Sequence, residues 1–227
     1  MKLVTLGMAS AIALAAAAPA IAQTTEAVAA TDLNIRSGPG PYYDVVGVIS
    51  AGGKVTVDGC LDTSAWCQVA YDGVNGWSSS DYLAVAVEDQ AVALTTRPPT
   101  VSVNSVTYED TAQTDADKNA AAVGGATLGA LAAYAVGGPI GGIIAGGILG
   151  AGAGVAATEP TEKTVTYITQ NPVETVYLDG EVVVGAGVPP SVPTFEIADQ
   201  PELRYLSING QTVVVDAQTN TIVRVIR

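Results

Sequence analysis

The run Leu33-Asn34-Ile35-Arg36-Ser37-Gly38-Pro39-Gly40 decides the fold class. Apolar and polar side chains alternate from Asp32 to Arg36, as on a strand, and Ser-Gly-Pro-Gly then ends it in a turn. Further short β-rich runs follow at Val45 to Ile49, Lys54 to Val57, Trp66 to Tyr71 and Gly76 to Ser78. Gly52-Gly53 and Asp72-Gly73 supply turns between these runs. Short strands at such spacing predict a small all-β barrel. The whole chain reads as mainly β: a small barrel, a Gly/Ala-rich helical hairpin and a small C-terminal β module.

The order of the first region carries a resemblance. After the opening run come Tyr42-Tyr43, Val45 to Ile49, Gly52 with Val55 and Val57, Trp66, Gly76-Trp77 and Asp81-Tyr82-Leu83. Residues 26–86 thereby strongly resemble the bacterial SH3 domain family. The resemblance implies a partly open barrel of five or six strands, serving as a targeting or ligand-binding module, often for cell-wall peptides, without catalysis of its own. In this chain Trp77 is followed by Ser78-Ser79-Ser80, where the family usually has an apolar residue, so a more polar last strand is expected. Tyr42, Tyr43, Trp77 and Tyr82 are the candidate ligand contacts, because aromatic rings offer large, stiff binding surface. A small barrel also fills its interior with bulky side chains, which favours core positions for Trp66 and Trp77.

The first residues follow an export pattern: Lys2 is a positive n-region, Leu3 to Ala18 is almost wholly apolar, and Ala20-Ile21-Ala22 is a small-residue cleavage site. Residues 1–22 are the expected signal peptide, cut after Ala22, which directs the chain to the periplasm or cell envelope. The first cysteine is Cys60, so no lipidated N-terminal Cys is available. In an oxidising compartment Cys60 and Cys67 are expected to pair. Closing so short a loop stabilises a small domain by about 2–3 kcal/mol. No Cys-x-x-Cys spacing and no adjacent His or Lys points to redox chemistry.

Charge excludes further classes. The formal net charge is −13, and only 9 Lys and Arg are present. Nucleic acid and anionic headgroups are therefore unsuitable partners. The chain contains no His. That removes most metal sites, most Ser/His or Cys/His triads and the usual general base, so no catalytic residue, metal or cofactor is expected and the chain reads as non-enzymatic.

Residues 87–118 hold Pro98-Pro99, scattered Ser and Thr, and the acids Glu109, Asp110, Asp115 and Asp117. They read as a polar linker, extended or disordered. From Asn119 to Thr158 no residue is charged. Gly138, Gly142, Gly146, Gly150 and Gly154 recur every four residues, on one helical face where backbones can approach closely. Gly137-Gly138-Pro139 divides the block into halves near membrane-spanning length. Residues 119–157 resemble glycine-zipper segments of Gram-negative envelope proteins, which implies membrane association or self-association as a helical hairpin. Gly152-Ala153-Gly154-Val155-Ala156-Ala157 formally matches a dinucleotide fingerprint, but lacks the preceding strand and following helix that give it meaning.

Two Xaa-Gly turn signals organise the C-terminal region. Thr175 to Leu178 and Glu181 to Val184 flank Asp179-Gly180, and Arg204 to Ile208 and Gln211 to Val215 flank Asn209-Gly210. Two hairpins are expected, with Thr221 to Ile226 as a further strand. Residues 165–227, through Val188-Pro189, Arg204-Tyr205, Asn209-Gly210-Gln211 and Val213 to Asp216, resemble the module called domain of unknown function 1236. That resemblance brings no activity or ligand. The sequence thus points to an exported adaptor with a peptidoglycan or envelope-protein ligand, or to a purely structural envelope protein.

Overall fold

A computed structural model describes residues 24–88, 90–109 and 159–227. The expected signal peptide and glycine-zipper hairpin lie outside these residues. Eight strands build the first sheet: β1 (Thr25–Ala29), β2 (Leu33–Arg36), β3 (Val45–Ile49), β4 (Lys54–Cys60), β5 (Trp66–Tyr71), β6 (Val74–Ser79), β7 (Leu83–Val87) and β8 (Gln90–Ala93). They run in the order β3-β2-β6-β5-β4-β1-β7-β8, every pairing antiparallel. The expected runs are all strands, and the sheet curls as the SH3-like barrel requires. Register shifts at Ile35/Arg36 and Val57/Gly59 bend the strands. Asp72 and Gly73, both at positive φ, make the tight β5–β6 turn.

The polar stretch after Trp77 is buried. Ser78 Oγ donates to the Asn34 carbonyl at 2.8 Å, so the serine hydroxyl is satisfied where the family's apolar residue would pack. Cys60 and Cys67 are directly opposed in the β4–β5 register and form a disulfide. The polar linker expected at 87–118 is part of the barrel where it is described: β8 pairs with β7, Leu94 is buried, and residues 101–109 run along the barrel as an extended segment. The reason is that its scattered apolar side chains, Val101 and Val103 among them, find core surface to bury against.

The C-terminal module opens with helix α1 (Glu162–Gln170), where the sequence reading placed no element. Thr161 caps it by accepting from the Thr164 amide, and Asn171-Pro172 ends it. β9 (Thr175–Val176), β10 (Phe195–Glu196), β11 (Leu203–Ile208), β12 (Gln211–Asp216) and β13 (Ile222–Ile226) follow. β11 to β13 form an antiparallel meander, and β9 and β10 share the free edge of β11. Asn209 and Gly210, at φ 50° and 77°, turn the β11–β12 hairpin as expected.

The hairpin expected at Asp179-Gly180 does not form. Thr175–Val176 pairs in parallel with Ser207 and Ile208, and residues 181–184 join no strand. The physical reason is competition from tertiary contacts: Val182 and Val183 turn into the core, and Glu181 is drawn to the barrel. One apolar cluster runs from Leu33, Ile35 and Val69 of the barrel to Leu178, Val182, Leu206 and Val213 of the C-terminal module. A second lies on the opposite face of the C-terminal sheet, where Ile168 of α1 meets Leu203, Tyr205 and Val214. The sheet is therefore sandwiched between α1 and the barrel, and its strands bury both faces.

Candidate functional site

Strand β2 has two buried faces. Leu33 and Ile35 point into the barrel, while Asn34 and Arg36, 1% exposed at Arg36, point toward the C-terminal module. Glu181 meets them. Its Oε2 accepts from Arg36 Nε at 2.8 Å, and its Oε1 accepts from Arg36 Nη2 at 2.6 Å and from Asn34 Nδ2 at 2.8 Å. The Val182 amide adds a fourth donor at 2.9 Å. Gln211 Oε1 accepts from the same Asn34 nitrogen at 3.0 Å. The fork is bidentate and the Glu181 side chain has no exposed area. Among the described residues every buried side-chain nitrogen and oxygen has a hydrogen-bond partner, so this polar joint is saturated.

Arg36 also carries the joint into the β2–β3 loop, where its Nη1 donates to the Tyr43 carbonyl at 2.7 Å. Tyr43 lies so close over Gly38 that any Cβ there would enter its ring. The loop thus displays Tyr42 and Tyr43 in opposite settings. Tyr42 stacks edge-on against Tyr177, centroids 5.9 Å apart, and donates its hydroxyl to Asp179 Oδ1 at 2.8 Å. Burial, with the Asp179 hydrogen bond and charge, pushes its phenol up to about 12. Tyr43 instead faces Tyr108 of the extended segment, which also meets Trp77, at centroid distances of 6.1 and 5.4 Å.

The four candidate contacts therefore do not form one open patch. Trp77 and Tyr82 are each 6% exposed, and Trp66 is also core. Tyr82 has its phenol raised by burial first, then by the charges of Asp81 and Glu181. Tyr42 remains 37% exposed beside the C-terminal module. Sequence reasoning missed Asn34, Arg36, Glu181 and Tyr108. Arg36 carried no legible signal: alternation puts it with Asn34 on the face opposite Leu33 and Ile35, which in sequence reads as the solvent side.

An open cavity of about 410 Å³ lies at the disulfide end, lined by the Cys60 to Ala65 loop with Ser80, Thr95, Arg97 and Asn104. Beside it Asp81 is raised by burial, an effect opposed by the Thr95 hydrogen bond. Among the described residues no His, Cys, Asp and Glu group could hold a metal ion, and no helix is long and apolar enough to cross a membrane.

A bacterial SH3 domain model matches residues 31–84. The barrel is a bacterial SH3 domain. A second family model, Domain of unknown function (DUF1236), matches residues 167–227 and covers the C-terminal sheet with most of α1. Neither model describes a catalytic domain. A Bacillus subtilis (strain 168) protein, provisionally named N-acetylmuramoyl-L-alanine amidase YrvJ, is 40% identical over 53 residues, which are 23% of this chain and 10% of that protein. This chain thus matches only about a tenth of that relative's length. Two solved structures, NlpC1 and NlpC2 of Trichomonas vaginalis, align over 90% and 88% of this chain and 64% and 66% of theirs. Their identities are 15% and 13%, and both TM-scores are 0.26, too low to bear on fold or function.

Proposed function

We propose that this chain is a non-enzymatic envelope adaptor whose bacterial SH3 domain binds a cell-wall ligand. One observation carries the reading: the SH3 match over residues 31–84, in a chain with a 53-residue likeness to a protein named for the muramoyl–alanine bond. Both matched regions describe binding or unassigned modules, and the chain has no His to serve as general base. The signal pattern up to Ala22 delivers the protein to the periplasm, and the glycine-zipper block at 119–157 tethers or oligomerises it through the face of Gly138, Gly142, Gly146, Gly150 and Gly154.

A second reading is a structural, membrane-associated envelope protein without a specific ligand. It is favoured by the covering of Trp77, Tyr82 and part of Tyr42 by the chain's own segments. Co-sedimentation of the full mature protein with purified peptidoglycan separates the two. Retention well above a heat-denatured control supports the adaptor. Retention equal to that control puts the structural reading first.

A further inference from the structure

The segment Val101–Glu109 lies on the barrel as a peptide lies on a receptor. Its inward side alternates, with Val101, Val103, Val106 and Tyr108 turned to the barrel and Ser102, Ser105, Thr107 and Glu109 exposed. Backbone bonds hold its middle: the Cys60 amide donates to the Asn104 carbonyl at 2.8 Å, and the Val106 amide to the Cys60 carbonyl at 3.0 Å. Asn104 Nδ2 adds a bond to the Asp58 carbonyl at 3.1 Å, and Thr25 Oγ1 one to the Ser102 carbonyl at 2.9 Å. Pairing is limited to one parallel bridge, Cys60 with Ser105, so the segment is not a full strand of the sheet. Gly59 makes the approach possible: a Cβ there would stand 2.5 Å from Val106 Cγ1 and 2.9 Å from the Asn104 oxygen. At the far end the Tyr108 ring, half-buried, meets Tyr43 and Trp77 edge-on, at interplanar angles of 87° and 80°.

We infer that the channel from Gly59 and Cys60 to the Tyr43–Trp77 cleft is a peptide-binding site, that its ligand class is an extended peptide bearing an aromatic side chain, and that residues 101–109 are its resident, displaceable ligand. Main-chain bonds at Cys60 give affinity without sequence preference, and the aromatic cleft selects the side chain at Tyr108, the division of labour of strand-addition recognition. The resident is covalently attached, so its effective concentration is in the millimolar range and an outside peptide must exceed that to enter. The SH3 domain is then self-occupied until a competitor arrives or the strap is pulled away. The inference deepens the ligand-binding reading of the barrel, and its test uses no wall polymer, so peptidoglycan retention can fail while the cleft still binds peptide.

A fluorescein-labelled peptide with the sequence of residues 101–109 is titrated by anisotropy into the full mature chain and its Tyr108→Ala and Tyr108→Phe variants. The Tyr108→Ala chain, whose strap has lost its anchor, should bind at least about tenfold more tightly than the wild type. Tyr108→Phe should match the wild type, and a scrambled peptide should bind none of them. Equal affinity for wild type and Tyr108→Ala, or equal binding of the scrambled peptide, overturns the inference. Amide hydrogen exchange on the unaltered chain is the second measurement and needs no variant to fold. Val106 N–H should exchange by local opening at least about a hundredfold faster than Val69 N–H in the barrel core. If both exchange at one rate, the segment is a permanent part of the fold and the site does not exist.

Discussion

The segments around Asp179-Gly180 and Asn209-Gly210 begin with the same turn chemistry and end in different structures. Around Asn209-Gly210 the flanks pair residue by residue, from Ser207 with Thr212 to Leu203 with Asp216, and the hairpin is the backbone of the C-terminal sheet. Around Asp179-Gly180 the flanks part. The Asn209 side chain holds the loop instead, accepting from the Leu178 amide at 2.9 Å and donating to the Leu178 carbonyl at 2.8 Å. Glu181 is thereby delivered to Arg36 on the barrel. The local turn yields to tertiary contacts: Val182 and Val183 enter the core, and the Glu181 carboxylate that is desolvated with them is held by four hydrogen bonds, without which its burial would be strongly unfavourable. The difference shows that the second turn organises a module and the first joins two modules.

Breaking the joint should have the largest effect. Glu181→Ala strands the Arg36 guanidinium without its counter-ion and should lower the unfolding free energy by about 3–5 kcal/mol in urea titrations followed by tryptophan fluorescence. Lys163→Ala is the control. Its ion pair with Asp199 is exposed by 79% and 60% on the two sides, and removing it should change stability by less than about 1 kcal/mol. Equal effects for the two substitutions would erase the distinction between joint and surface.

The Asn209 clamp comes next. Asn209→Ala loses two side-chain bonds to Leu178 and places a Cβ-bearing residue without a helpful amide at φ 50°, so about 2–3 kcal/mol of stability should go. Asp179→Ala leaves the clamp intact and removes only the acceptor for Tyr42, with an expected loss of about 1 kcal/mol. A larger loss for Asp179→Ala than for Asn209→Ala would mean that the first turn supports itself.

The Tyr42 contact also has a pH signature. Its folded phenol is raised from 10.0 to about 12, so the neutral form is favoured by folding. The stabilisation is fully present below pH 10 and is lost as pH rises toward 12. Tyr42→Phe should flatten that part of the alkaline stability profile at a neutral-pH loss of about 0.5–1.5 kcal/mol. Asp216 offers the smallest effect and the opposite sign. Its carboxyl is lowered, chiefly by the Thr219 amide, so its contribution is present above its ordinary value of 3.8 and disappears as pH falls through the lowered one. Asp216→Asn should remove that acid-side slope with under about 1 kcal/mol of change at neutral pH.

The barrel was legible because its strands obey local rules. Alternation at Leu33 to Arg36, the turn residues at Asp72-Gly73 and the Cys60–Cys67 spacing each specify structure within a few residues. Asn209-Gly210 was legible for the same reason. The joint was not, because Arg36 and Glu181 are 145 positions apart and nothing local marks them as partners. Helix α1 was hidden by composition: Thr164, Val165, Thr166, Ile168 and Thr169 are β-branched residues with weak helix propensity, and burial of Ile168 against the sheet overrides it. The candidate site was half legible. Tyr43 and Trp77 were named from the aromatic pattern, but Tyr108 lay in a polar stretch whose alternation matters only once Gly59 and Cys60 are beside it.

The most direct test of the joint is a double-mutant cycle on the full chain, Arg36→Met, Glu181→Leu and both together, with unfolding free energies from urea titration. If the two residues lock the modules, each single change leaves one buried charge unpaired, while the double change leaves none. The double variant should then be at least about 2 kcal/mol more stable than the sum of the single losses predicts. Additivity within about 0.5 kcal/mol would contradict the joint and leave the two modules merely adjacent.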